Sequence, residues 1–219
     1  MAKDSPTEIR DRGYLIRSHR LSDTSLIVEW LCATHGRLTT VAKGALRKKS
    51  PFQGKLDLLF LADLSCQRKP RSDLFPLKEV SILHTPTQIR RSIRRLNSAA
   101  YFIELIRRTT ELDTPIPELF ELFHVAVQTI DQRPAGPGLA LWFEWQLLER
   151  LGLQPAPEDL RLPPGEIQTL SLWNKSQIPP NDSLESMDQI TGIATFLGRT
   201  WEQELGRCTK LRALVLTPS

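Results

Sequence analysis

The sequence predicts an α+β multidomain protein: a small five-stranded β-barrel followed by an α-helical bundle with an irregular insertion. Three observations carry this prediction. Residues 13–83 hold short apolar, β-branched runs separated by turn formers. At Thr85 the apolar period changes to a three-to-four spacing. Charge divides near the same place. Residues 1–95 carry 19 of the 29 Lys and Arg and 9 of the 25 Asp and Glu, a balance of +10, and the rest balances at −6. A basic half followed by an acidic half points to a polyanionic partner for the first half alone.

The strands follow in order. Gly13–Arg17 is short. Thr24–Leu31 places Leu26, Val28 and Trp30 on one face, so Trp30 reads as core. Arg37–Ala42 is β-branched, Leu56–Cys66 is long, and Leu74–Leu83 is the fifth. Ser22-Asp23, His35-Gly36, Ser50-Pro51 and Pro70-Arg71-Ser72-Asp73 break the chain between them. Five strands without helical periodicity between most of them suit an OB-fold over residues 1–83.

Residues 84–219 form the predicted helical domain. Thr85-Pro86-Thr87-Gln88 reads as a helix start, with a threonine cap, proline at the first position and glutamine at the third. Ile89, Ile93, Leu96, Ala99, Ile103 and Ile106 mark the first apolar stripe. Further helices are expected over about 118–131, 139–151 and 184–205, the one over 139–151 stopping at Gly152. Six prolines between 154 and 182 argue against a long regular element there.

Several functions are excluded. No stretch approaches about 18 apolar residues, so no membrane span is expected, and the polar N-terminus shows no apolar signal core. Cys32, Cys66 and Cys208 lack CxxC spacing and read as buried, reduced thiols of a cytoplasmic protein. His19, His35, His84 and His124 have no metal-ligand spacing, and His35 reads as a turn residue. Glu144, Glu149, Glu158 and Asp159 read as solvated helix surface and loop. There is no Walker loop and no GxSxG, so no catalytic residue, metal or cofactor is assigned.

The candidate site is cationic. Arg37, Lys43, Arg47, Lys48, Lys49 and Lys55 gather around the turn between the third and fourth strands, flanked by Gly44 and Gly54. Arg68, Lys69 and Arg71 surround the next turn, and Arg90, Arg91, Arg94 and Arg95 form a stripe at the start of the helical half. Such turns can border a groove that tracks a phosphate backbone. Phe52, beside the cationic turn, is the candidate for stacking on a base. With few rings and much charge, binding should be electrostatic and sequence-independent. If about five phosphates are met, log K should fall against log salt with a slope of roughly −3.5 on single strands.

In order, Gly13-Tyr14-Leu15-Ile16-Arg17, Ser22-Asp23-Thr24-Ser25, Thr34-His35-Gly36-Arg37 and Val41-Ala42-Lys43-Gly44-Ala45-Leu46-Arg47 resemble the N-terminal pattern of the RecO family of bacterial DNA repair and recombination mediators. Tyr101-Phe102-Ile103-Glu104-Leu105 and Phe143-Glu144-Trp145-Gln146-Leu147-Leu148, with Leu151-Gly152-Leu153-Gln154-Pro155, resemble its helical region. The resemblance implies an OB-fold and a nucleoid-associated protein that is not an enzyme. Such a protein binds single- and double-stranded DNA, anneals complementary strands, and assists RecA loading on DNA coated with single-strand-binding protein, together with RecR.

Many relatives carry a four-cysteine zinc module after the position of Pro155, whereas residues 156–183 here contain no cysteine or histidine. A metal-free remnant over 154–183 is therefore expected. For the acidic tail of single-strand-binding protein, charge alone offers Arg107, Arg108, Arg199, Arg207, Lys210 and Arg212. Two other readings stay open: a protein-docking adaptor with secondary DNA contact, and an RNA-binding OB-fold protein.

Overall fold

The computed structural model describes residues 7–69, 72–133, 136–156, 159–175, 187–206 and 209–217. The chain divides into two compact units, one of residues 1–86 with 110–120, the other of 87–109 with 121–219.

The first unit is a closed barrel of five strands: β1 (Thr7–Arg20), β2 (Leu26–Cys32), β3 (Gly36–Ala42), β4 (Leu61–Arg68) and β5 (Phe75–His84). Their order is β1-β2-β3-β5-β4, and β4 returns to β1. Only β3 and β5 pair in parallel. The long β1 makes closure possible: Thr7–Tyr14 pair with β4 and Gly13–Arg20 with β2. The register shifts between Leu15 and Arg17, which bends the strand around the barrel. This is the OB topology.

Inward residues alternate along the strands. Leu15, Val28, Trp30, Leu38, Leu64 and Leu77 are buried in one cluster with Cys32 and Cys66. Burial pushes the Cys32 thiol well above its usual range and that of Cys66 up to about 11, so both stay protonated. The Trp30 indole is satisfied inside the barrel, donating to Thr40 Oγ1 at 2.9 Å.

Two strands differ from expectation. β1 begins at Thr7, not Gly13: Glu8, Arg10 and Arg12 are exposed on its outer side, and Ile9 is its inward apolar residue. β4 begins at Leu61, not Leu56. Residues 57–60 form a turn in which Leu59 takes φ +65° and donates its N–H to the Leu15 carbonyl at 2.7 Å. The apolar run there reflects burial, not extension.

Residues 110–116 lie along β3. Leu112 bridges to Arg37, and the Asp113 N–H donates to the Arg37 carbonyl at 2.7 Å. Gly36, at φ +66°, admits this strap: a Cβ there would stand 2.0 Å from the Thr114 carbonyl oxygen.

The helices are α1 (Ile93–Thr109), α2 (Pro117–Gln132), α3 (Pro137–Arg150), α4 (Pro164–Lys175), α5 (Met187–Leu205) and α6 (Lys210–Leu216). In the second unit α3 is buried from Pro137 to Leu148, with Glu144 and Gln146 enclosed among its apolar residues. Phe143 stacks on Phe102 of α1 at 4.1 Å, and the Gln146 side chain donates to the Trp173 carbonyl of α4 at 2.8 Å.

The Thr85 cap is not used. A single 3-10 turn, Ile89–Arg91, precedes α1, and its free N–H groups are capped from α2: Gln88 and Ile89 donate to Asp131 Oδ1 at 2.7 and 3.1 Å. Between 154 and 175 the chain does form a helix, α4. Pro164 stands at its start, where a missing N–H costs nothing, so the prolines delimit the helix rather than forbid it. No helix among the described residues is long and apolar enough to cross a membrane.

Candidate nucleic-acid interface

The connection from β3 to β4 folds as consecutive tight turns. The N–H groups of Ala45, Arg47, Ser50, Gln53 and Lys55 each donate to the carbonyl three residues earlier. Gly44 supplies the positive φ, +68°, that starts this path, and the Arg47 side chain lies back over it. The connection has two faces. Ala45, Phe52 and Leu56 pack on the barrel core, while Lys43, Leu46, Arg47, Lys48 and Lys49 face solvent. Among the described residues, none of these four cations is paired with a carboxylate.

This cationic connection is tied to the turn between β1 and β2. The Leu46 N–H donates to the Thr24 carbonyl at 3.0 Å, and the Gly44 N–H to Ser25 Oγ at 3.3 Å. Arg20, Leu26 and Ala42 stand in one row across β1, β2 and β3, and Lys43 follows directly. Exposed Arg20 therefore belongs to the same end of the barrel as Lys43, while Arg17 stands three residues back, in the row of Glu29 and Thr39. Sequence reasoning passed over Arg20 because it ended the first strand at Arg17. An arginine entering the turn at Leu21-Ser22-Asp23 was the available signal.

Two expected members of the interface are buried. Arg37 is only 8% exposed: its guanidinium donates to Glu29 Oε1 and to the Thr110 carbonyl, each at 2.5 Å. A guanidinium with both arms engaged under the 110–116 strap has no phosphate to meet. Phe52 is 6% exposed and closes the barrel core, so it offers no ring face to a base. Arg68 is half-buried, bonded to Asp113 and held over the Phe75 ring at 5.4 Å. Lys55 is half-buried, Lys69 is exposed, and Arg71 lies outside the described residues.

In the helical unit Arg90 and Arg91 are exposed. Arg94 donates to the Thr217 carbonyl at 3.3 Å, and Arg95 to the carbonyl of Asp131, the residue that caps the 3-10 turn, at 2.9 Å. Of the cations offered to a partner's tail, Arg199 and Lys210 are exposed and Arg107 is half-buried. Arg108 is exposed and donates to the Leu205 carbonyl at 2.8 Å. Arg207, like Cys208, lies outside the described residues.

Arg212 is not a surface cation. Its guanidinium holds both carboxylate oxygens of Glu144 at 2.9 and 3.0 Å and donates to the Ala194 carbonyl at 2.8 Å. Glu144, expected on a solvated face, is fully buried and also accepts from the Tyr101 hydroxyl. Burial raises its pKa, and the Arg212 and Tyr101 bonds oppose that rise. Glu149 and Asp159 are exposed, and Glu158 lies outside the described residues.

His35 is a turn residue as expected, but a well-anchored one. Asp11 Oδ2 accepts from the Thr34 and His35 N–H groups at 3.1 and 3.0 Å and meets His35 Nδ1 at 2.6 Å.

Comparison with known proteins locates this geometry. The model of "Recombination protein O N terminal" matches residues 6–86, and that of "Recombination protein O C terminal" matches residues 90–159. The chain belongs to the RecO family.

Among RecO proteins, the DNA repair protein RecO of Rhodopirellula baltica is 35% identical over 144 residues, covering 66% of this chain and 53% of the relative. That of Idiomarina loihiensis is 34% identical over 141 residues, 64% of this chain and 59% of the relative. That of Syntrophus aciditrophicus is 29% identical over 147 residues, 67% and 57%. The chain thus spans between a half and two thirds of the length of these relatives. The N-terminal RecO match coincides with the barrel and contains the whole cationic connection. The C-terminal match ends before α4, so α4, α5 and α6 lie beyond it.

Proposed function

We propose that this chain is a non-catalytic mediator of DNA repair and recombination that binds single- and double-stranded DNA through the end of its barrel. The observation that carries the reading is the cluster Lys43, Arg47, Lys48 and Lys49, exposed and held on a hydrogen-bonded connection whose other face is anchored in the barrel core. Arg20 extends the cluster, and relatives named for DNA repair support the biological setting. The mechanism is electrostatic. Each phosphate met by a cation releases a condensed counterion, so affinity comes from charge and carries little sequence preference. Neutralised strands repel one another less, which favours annealing of complements. RecR, RecA loading and single-strand-binding protein enter as the partners of this role, in the compartment that holds the chromosome.

We place the partner's acidic tail on the helical unit, where Arg108, Arg199 and Lys210 are exposed. Arg212 leaves the set chosen on charge, because its guanidinium is committed to Glu144.

Changing Arg47, Lys48 and Lys49 together to Glu tests the central reading. The variant should keep its fold and lose binding to an oligonucleotide in an anisotropy titration. For the unaltered protein, four phosphate contacts give a slope of log K against log salt of roughly −3 on single strands. Unchanged affinity in the variant would favour a protein-docking adaptor, and tighter binding to RNA than to DNA of the same sequence would favour an RNA-binding role.

A further inference from the structure

We infer that Leu21 and Leu46 touch the unpaired bases of a single strand and give this end of the barrel its distinction between single strands and duplex. The inference rests on the reading of that end as the DNA interface. Leu21 is 50% exposed and Leu46 is 43% exposed. A lone exposed leucine needs no explanation, but these two are placed together. The Leu21 N–H donates to the Ser25 carbonyl at 2.9 Å, and the Leu46 N–H to the Thr24 carbonyl at 3.0 Å. Both leucines therefore hang from adjacent carbonyls of one turn.

Each leucine also sits inside the cationic surface. Arg20 precedes Leu21, and Arg47 follows Leu46. The single carboxylate in the two connections, residues 21–25 and 43–55, is Asp23.

The occupant follows from what the surface offers. Phosphates are met by the cations whether the strand is single or paired. Apolar contact is different, because in duplex the base faces are stacked on one another and only an unpaired base can lay its face on a side chain. The usual platform for that contact is an aromatic ring. Among the described residues of the barrel unit no Phe, Tyr or Trp ring is exposed: Tyr14, Trp30, Phe52, Phe75 and Phe120 are buried and Phe60 is half-buried, and the exposed rings are the imidazoles of His19 and His84. Apolar contact at this end therefore falls to aliphatic groups beside the His19 imidazole, and Leu21 and Leu46 are large aliphatic groups exposed among the cations. They add a salt-independent increment that duplex does not receive.

Leu21 and Leu46 should be changed together to Gln in the full chain. Binding is then measured by anisotropy with a thymidine oligonucleotide, an abasic strand of the same length and a duplex, across a salt series. Affinity for the thymidine strand should fall about fivefold to tenfold at every salt concentration, with the salt slope unchanged. Affinity for duplex and for the abasic strand should not move. An equal loss on all three ligands, or no loss on the thymidine strand, would overturn the inference.

The unaltered protein supplies a second measurement if the double variant does not fold. It should prefer the thymidine strand to the abasic one, and equal affinity for the two overturns the inference. Binding by the unaltered protein that is absent, or that ignores salt, instead overturns the electrostatic reading beneath it.

Discussion

Arg37 donates to Glu29 Oε1 and to the Thr110 carbonyl, both at 2.5 Å, and so joins β3 to β2 and to the 110–116 strap. Its position in a basic motif suggests DNA. Its environment assigns it to the architecture of the barrel wall.

Replacing Arg37 by Ala should therefore take from buried Glu29 the guanidinium that faces it, at a cost of about 3–5 kcal/mol. Denaturant melts would register the loss. Where the variant is still folded, DNA affinity and its salt slope should match those of the unaltered protein. Pairing Arg37→Met with Glu29→Leu should recover much of the stability, because the desolvation of both charges is removed together. A variant of full stability that has lost DNA binding would return Arg37 to the interface.

Phe52 makes the complementary case. Phe52→Ala should cost about 3–5 kcal/mol, as expected for a buried ring whose removal leaves a cavity. Faster amide exchange at Gln53 and Lys55 should accompany it, because their turn hydrogen bonds depend on that anchor. Phe52→Leu retains volume in the core and should retain single-strand affinity. Lost affinity at unchanged stability would restore Phe52 as a stacking platform.

These two residues mark where the sequence stops being legible. The barrel was readable because Leu26, Val28 and Trp30 recur at every second position, and because turn formers separate the runs. The cationic connection was readable because Arg47, Lys48 and Lys49 lie between Gly44 and Gly54. The partners of a charge were not readable. Glu29 lies eight residues from Arg37 and the Thr110 carbonyl 73 residues away, and only the fold brings them together. Glu144 and Arg212, 68 residues apart, are hidden in the same way. Local composition reports that a charge exists. Whether it is solvated depends on long-range pairing, which is also why the 3-10 turn before α1 takes its cap from Asp131 and not from Thr85.

Arg212→Ala should strand Glu144 in the helical core and destabilise the protein by about 3–5 kcal/mol at neutral pH. Burial already raises the Glu144 pKa, and losing the guanidinium removes the main opposing influence. The carboxyl of the variant must then take a proton to remain inside. That step costs least near or below the ordinary carboxylate range and more as pH rises above it. The penalty relative to the unaltered protein should therefore be smaller at about pH 4.5 than at pH 7. Thermal melts at the two values would decide it, and a penalty independent of pH would mean that Arg212 acts through packing alone.

Glu166 presents the opposite opportunity. It stands in the first turn of α4, where the helix end favours a negative charge by about 0.3–1 kcal/mol. Yet it is 7% exposed, its Oε2 has no hydrogen-bond partner, and its carboxylate lies on the backbone of Gly192 in α5. An unpartnered buried group costs about 1–3 kcal/mol and more when charged. Desolvation therefore prevails over the helix dipole, and burial raises the Glu166 pKa.

A carboxyl whose folded pKa lies above its unfolded value contributes its full stability below the unfolded value and loses it as pH rises through the folded one. Glu166→Gln keeps the neutral form at every pH. The substitution should therefore change little at about pH 4 and raise stability by about 1 kcal/mol at neutral pH. Melting curves of the two proteins should coincide in acid and separate toward neutrality. A lower melting temperature for the glutamine variant at neutral pH would show instead that Glu166 is ionised there and that its charge holds α4 in place.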